Sequence, residues 1–189
     1  MLRPGEPAMR ARAARGRRIS RLARDVRGAA AVELALIGGL LIFGLFNTID
    51  LGRYFYMRME VQNAAQMGAQ AVWKACDTTH LPATTNCSGM SNALSAGVQS
   101  TSLGSSVSQV SGSPAEGWYC VNNSDSLVLM ASASSAKPAD CSAASNPTAT
   151  PGDYLKVQTT YAFSPVFPAF NIAAALPTPI TGSSLMRLQ

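Results

Sequence analysis

The sequence predicts an α+β protein in which a long N-terminal helix, partly transmembrane, packs on a small antiparallel sheet. Three observations lead to this prediction. The single apolar run that is long enough to cross a bilayer occupies residues 29–49. An apolar stripe at helical spacing follows it, and short runs with β-branched or aromatic residues fill much of the C-terminal half. The 189 residues suffice for one modest domain with accessory segments.

The positive charge is concentrated before the apolar run. The chain has a net charge of +5, but residues 1–28 hold nine arginines and two acids, a balance of +7, which leaves −2 for residues 29–189. Because basic flanks stay on the cytoplasmic side, residues 1–28 are predicted to be a cytoplasmic leader and the C-terminal part to lie across the membrane. A nucleic-acid-binding arm is the weaker interpretation, since no aromatic residues separate the arginines.

Residues 29–49 are the predicted membrane span. As a helix they would extend about 31 Å, close to the hydrocarbon thickness of about 30 Å. The run is longer than the apolar part of a cleaved secretory signal, so a plain signal anchor is the main alternative. Glu33 is unexpected there, because a carboxylate at the centre of a bilayer costs roughly 2.5–3.5 kcal/mol on insertion scales. An acid in this position is therefore a candidate functional residue.

Residues 50–76 are predicted to continue the helix into the periplasm, to about Ala75. Apolar and small residues recur there at alternating spacings of three and four, which is typical of a buried helix face. This predicted packing stripe consists of Tyr54, Met57, Val61, Ala64, Gly68, Ala71 and Ala75. Its neighbours Ala65, Ala69, Val72 and Cys76 are predicted to widen it to a core-facing band. Packing on the protein's own sheet is the simpler interpretation, and packing against a neighbouring subunit is compatible with it.

Residues 77–189 are predicted to form a small, disulfide-bonded α+β periplasmic domain. The four cysteines are Cys76, Cys87, Cys120 and Cys141, which allow three pairings, and we favour the two local pairs. A metal site is disfavoured because no C-x-x-C occurs and His80 is the only histidine. We therefore predict neither a metal nor a cofactor.

Weaker patterns suggest the remaining elements. Ser91 is the expected N-cap of a short second helix. Residues 166–172 are expected to be an apolar turn or short helix, which would face the core, the membrane surface or a neighbouring subunit. Strands are expected at residues 106–110, 118–121, 127–130, 153–161 and 180–188, with the second and third forming a hairpin.

Motifs of catalysis are absent from the sequence. It contains no phosphate-binding loop, nucleophile elbow or zinc-protease motif. Asp50 and Arg53 are most simply an ion pair between successive turns of the helix. The chain is therefore predicted to have no catalytic residues and not to be an enzyme.

Residues 27–36, RGAAAVELAL, resemble the start of the TadE/TadG-like pilus-assembly proteins, which are pseudopilins or minor pilins of tight-adherence type IV pili. In that family a basic leader ends in glycine, and a glutamate lies five residues beyond the cut. Gly28 and Glu33 have this spacing, although Leu34 stands where the family often has Phe or Tyr. Residues 52–71 and the C-terminal tail are similar to the family's post-membrane helix and last strands.

The resemblance implies a pilin-like fold and a processing site between Gly28 and Ala29. Its implied partners are a prepilin peptidase, other pilins and pseudopilins, an inner-membrane assembly platform and membrane lipid, with no nucleic acid. Glu33 would pair with a subunit's N-terminal amine and set the subunit register. The implied location is the bacterial inner membrane, with a single span, and the pilus outside the cell. The alternative is an uncleaved, signal-anchored periplasmic domain that binds a partner.

Overall fold

The computed structural model describes residues 26–168 and 172–189, so most of the predicted leader lies outside the described residues. It divides the chain into two compact units, Met1–Thr48 and Ile49–Gln189. Helix α1, Val26–Ala75, contributes to both units. The α+β architecture predicted from the sequence is confirmed, because a long apolar N-terminal helix packs on a small antiparallel sheet.

In the first unit, α1 exposes a continuous apolar surface. Of the described residues, only the helix segment Gly28–Ala75 is long and apolar enough to cross a membrane, which is consistent with a single-pass anchor. Two polar side chains at the end of the first unit bond to the helix's own backbone. The Asn47 amide donates to the carbonyl of Phe43 at 2.8 Å, and the Thr48 hydroxyl donates to that of Gly44 at 2.9 Å. Such bonds satisfy polar groups where water is scarce.

The second unit is built around a five-stranded antiparallel sheet. Its strands are β1 (Ser108–Gln109), β2 (Ala115–Val121), β3 (Leu127–Ser132), β4 (Gly152–Tyr161) and β5 (Ile180–Arg187). Strand β4 is central: it pairs with β1 and β2 on one edge and with β5 on the other. Strands β2 and β3 form the expected hairpin, in which Cys120 is opposite Val128.

The part of α1 that belongs to the second unit lies on β4 and β5. Alternate residues of β4, including Leu155, Val157 and Thr159, are fully buried beneath the helix. The Thr159 hydroxyl donates to the carbonyl of Val61 at 2.9 Å. A Cβ at Gly182 of β5 would lie only 2.6 Å from that same carbonyl oxygen, so the glycine permits this close approach of helix and strand.

Gln62 joins the helix to the outer edge of β5. Its side-chain amide donates to the carbonyl of Ser183 at 2.6 Å and its oxygen accepts the N–H of Ser183 at 3.1 Å. These two bonds reproduce the pattern that a neighbouring strand would make with this residue.

Short helices complete the second unit. They are α2 (Ala83–Asn86) and α3 (Met90–Val98), with single 3-10 turns at Thr78–His80, Gly104–Ser106, Ser142–Ala144 and Ile172–Ala175. The expected N-cap at Ser91 is wrong, because α3 begins at Met90 and its N-cap is Gly89, two residues earlier. Disulfide-bonded Cys87 accepts the N–H of Met90 at 3.2 Å and starts the turn there. The first strand, Ser108–Gln109, is also shorter than the expected 106–110, because Ser106 belongs to the 3-10 turn Gly104–Ser106 instead.

Candidate functional site

The predicted processing site lies in the first turns of α1. Gly28 and Ala29 are both exposed, and a side chain at Gly28 would meet no atom within 4 Å. Glu33 is exposed on the same helix, between the exposed side chains of Val32 and Leu34. The carboxylate is therefore accessible on the surface of the predicted span, where another chain can reach it.

The predicted packing stripe lies on the protein's own sheet over most of its length. Tyr54, Val61, Ala64 and Gly68 are buried, and the side chains of Met57 and Ala71 are half-buried. The stripe is wrong only at Ala75, which is exposed, whereas Cys76 of the wider band is buried as predicted.

The cause of this error is the helical period. A repeat of 3.5 residues drifts by about 20° per heptad relative to a 3.6-residue helix, or about 60° over the three heptads of the stripe. The buried line accordingly moves to side chains that the alternating spacing leaves at its margin. These are Ala65, Ala69, Val72 and Cys76.

A buried carboxylate lies directly after the predicted span. Asp50 is completely buried, and its two oxygens accept the backbone N–H groups of Val166 and Phe167, each at 3.0 Å. The Arg53 guanidinium lies 3.4 Å from the same carboxylate, which is the expected pair between helical turns. The sequence indicates that pair alone. The contact with residues more than a hundred positions away depends on backbone donors, which carry no sequence signature.

Further contacts hold the segment that contains Val166 and Phe167 against the same turn of α1. The Tyr54 hydroxyl donates to the carbonyl of Pro177 at 3.0 Å. Its ring meets Phe163 edge to face, with the ring centroids 5.3 Å apart, and the Arg53 guanidinium lies over the same Phe163 ring. Residues 50–54 thus hold both ends of the segment that joins β4 to β5. We call the described residues of this segment, 163–168 and 172–177, the membrane-proximal loop.

Both disulfides join local pairs. Cys76 is bonded to Cys87, which ties the end of α1 to the chain before α3, and Cys120 of β2 is bonded to Cys141. His80 is exposed in the first of these loops. Hydrogen bonds from Thr79 and His80 lower the pKa of Asp77 to about 2. Across the described part of the chain, no group of three or more His, Cys, Asp or Glu side chains is placed to hold a metal ion.

A second buried carboxyl group lies at the start of β4. Asp153 is 1% exposed and faces Glu116, whose carboxylate accepts the backbone N–H groups of Ala83 and Thr84 at 2.8 and 2.7 Å. Burial, together with the neighbouring charge of Glu116, raises the pKa of Asp153 to about 7, and the charge of Lys137 opposes this shift. The Asp153 carboxyl group is therefore protonated across the mildly acidic range.

This pair makes stability depend on pH. An unfolded aspartate releases its proton near pH 4, whereas Asp153 in the folded protein holds it to about pH 7. Stability from this group is therefore full below pH 4 and is lost as the pH rises to 7. Between pH 4 and pH 7 this group should lower the free energy of unfolding of the unmodified protein by an amount on the order of a few kcal/mol. We expect this decrease to be absent from the Asp153→Asn variant. The measurement is chemical unfolding of the full chain in detergent at several pH values.

The control for this experiment is Asp125→Asn. Asp125 is exposed and has a φ of 55°, a conformation that asparagine tolerates. The pH dependence of this variant should match that of the unmodified protein. Equal pH dependence in the Asp153→Asn variant would contradict the assignment.

Comparison with known proteins finds a similarity in the N-terminal part of the chain. The family model described as TadE-like protein matches residues 28–70, from the residue before the expected cut to the buried part of α1. No curated protein and no solved structure matches the chain. The match supports a role in the assembly of tight-adherence pili, and hence interaction with other pilus components. Residues 28–70, about a quarter of the chain, are therefore similar to the TadE-like family.

Proposed function

We propose that this chain is a minor pilin or pseudopilin that takes part in assembly of a tight-adherence pilus after a prepilin peptidase cuts between Gly28 and Ala29. One observation carries the proposal. The TadE-like match starts at Gly28 and includes Glu33, which is exposed on an apolar helix. A plain anchor gains nothing from a carboxylate in that position, whereas a pilin can use it to register subunits.

Cleavage would change the charge at the membrane surface. It removes the leader with its balance of +7 and creates a new amine at Ala29. That amine and the Glu33 carboxylate are opposite charges on the same end of the span. Pairing between neighbouring subunits would offset the cost of removing both charges from water.

The sheet covers one face of α1, and the apolar surfaces that it leaves exposed are the ones that would pack between subunits. The buried stripe of α1 lies against β4 and β5, so it is occupied within one chain. The exposed apolar side chains of the span remain for lateral packing of helices. They include Leu36, Leu40, Phe43 and the residues next to Glu33. Apolar helices meet readily in lipid where glycines let their backbones approach, and Gly38, Gly39 and Gly44 lie in this stretch.

The test is the mass of the membrane-bound protein, measured with and without a co-expressed prepilin peptidase. We expect a chain that begins at Ala29 only when the peptidase is present. Gly28→Leu should block the cut, because the bulky side chain replaces the glycine that the peptidase would recognise. Gly16→Leu, the same change elsewhere in the leader, should leave it intact. An intact leader in every sample would overturn the proposal and favour an uncleaved anchor with a partner-binding periplasmic domain.

A further inference from the structure

The membrane-proximal loop presents apolar side chains to the outside of the protein. Val166 is 54% exposed and Ile172 is 64% exposed. The sequence has no charged residue from position 161 to position 186. Exposed apolar side chains in an uncharged segment indicate a binding surface rather than an ordinary solvated loop.

Hydrogen bonds fix the position of this surface relative to the end of the predicted span. The backbone of Val166 and Phe167 is bonded to Asp50, which follows the predicted span directly. With a helical rise of about 1.5 Å per residue, residues 50–53 lie within about 6 Å of the span's end. The headgroup layer on each side of a bilayer is about 5–7 Å thick. For a span that ends at residue 49, the contacts of Asp50 would hold the loop at the depth of the lipid headgroups.

The surroundings of the loop have the composition of a membrane interface. Leu51 and Phe55, on the same part of α1, are also exposed. Arg53 is 36% exposed between Asp50 and the Phe163 ring. A partly exposed guanidinium beside exposed aromatic and aliphatic side chains fits anionic headgroups above acyl chains.

We propose that the membrane-proximal loop is a second membrane contact, in which Val166 and Ile172 insert into the headgroup layer of the bilayer that the helix crosses. This inference rests on the membrane anchoring in the proposed function, but it does not require cleavage or pilus assembly. Asp50 is the positioning residue, because its carboxylate holds the loop against the helix at this level. Continuity with the span favours lipid as the occupant over a neighbouring subunit.

The experiment uses the full chain in vesicles of phosphatidylcholine and phosphatidylglycerol. Val166→Cys and, separately, Ile172→Cys are labelled with a small fluorophore and exposed to lipids that carry a quencher near the headgroup. Leu129→Cys is the matched control, because Leu129 is 56% exposed but lies on β3. Leu129 pairs with Tyr119 of β2, and Tyr119 pairs with Gly152 of β4. Gly152 is at the opposite end of β4 from the loop. Leu41→Cys reports on the span itself.

We expect several-fold stronger quenching at positions 166 and 172 than at position 129, and strong quenching at position 41. Quenching at 41 but not at 166 or 172 would overturn the loop contact and leave the anchor in place. Protection of 166 and 172 from aqueous iodide without lipid quenching would assign the surface to a neighbouring chain and would also overturn the proposal. An unquenched label at 41 would overturn both the loop contact and the anchor.

Discussion

Glu33→Gln is expected to reduce the amount of this protein in assembled pili by about tenfold or more, while its level in the membrane stays the same. Breaking a charge pair buried in an apolar environment costs about 3–5 kcal/mol, and each 1.4 kcal/mol corresponds to about tenfold in an equilibrium. The neutral amide enters lipid more readily than the carboxylate, so insertion should not suffer. The measurement is the amount of the chain in sheared pili relative to membranes.

The matched control for this experiment is Glu60→Gln. Glu60 lies on the same helix, but its carboxylate accepts hydrogen bonds from the backbone and hydroxyl of Ser102 in the second unit. This variant should assemble nearly normally. Normal pilus incorporation of the Glu33→Gln protein would contradict a registering role for Glu33 and leave cleavage as a separate question.

Gly182→Ala is expected to lower the free energy of unfolding of the second unit by about 2–3 kcal/mol. A Cβ there would lie 2.6 Å from the carbonyl oxygen of Val61 and 3.0 Å from the Cα of Gln62. Both are backbone atoms of α1, so the helix must move away from β5. The entropy gained by replacing a strand glycine is about 0.5–1 kcal/mol, which is too small to offset that displacement. Chemical unfolding of the full chain in detergent, followed by tryptophan fluorescence, measures the change.

Gly52→Ala is the control that separates crowding from the loss of a glycine. A Cβ at Gly52 meets nothing within 4 Å, and the residue lies inside α1. Alanine there should raise stability by about 0.5–1 kcal/mol, because it favours the helix. A stabilised Gly182→Ala protein would show that helix and sheet are less closely packed than the structure has them.

The sequence predicts the regular elements well because their signals are local. The apolar period indicates α1 to its last residue, Ala75, and alternation indicates β4 from 153 to 161, against an observed Gly152–Tyr161. The stripe shows the limit of this approach. A spacing of three and four residues approximates the helical period well enough to identify Tyr54 and Val61 as buried, but its error accumulates until it misplaces Ala75.

The parts that could not be predicted depend on contacts between distant residues. Asp50 pairs with Arg53 as the spacing suggests, yet its bonds to Val166 and Phe167 need the complete fold. The raised pKa of Asp153 also depends on the complete fold, which buries this carboxyl group and brings Glu116 of β2 beside it. Ser91 looks like a cap by residue type, but the disulfide-bonded chain before it starts the helix sooner.

The bond pattern of Gln62 has a consequence for how copies of this protein can associate. An exposed strand edge invites strands of other molecules to add to it, which leads to aggregation when many copies are concentrated. At the middle of β5, the two backbone groups of Ser183 that face away from β4 are already bonded by one side chain of the helix. A passing strand would have to displace Gln62 before it could extend the sheet. The Gln62 side chain thereby keeps the middle of β5 from serving as a template for strands of other molecules.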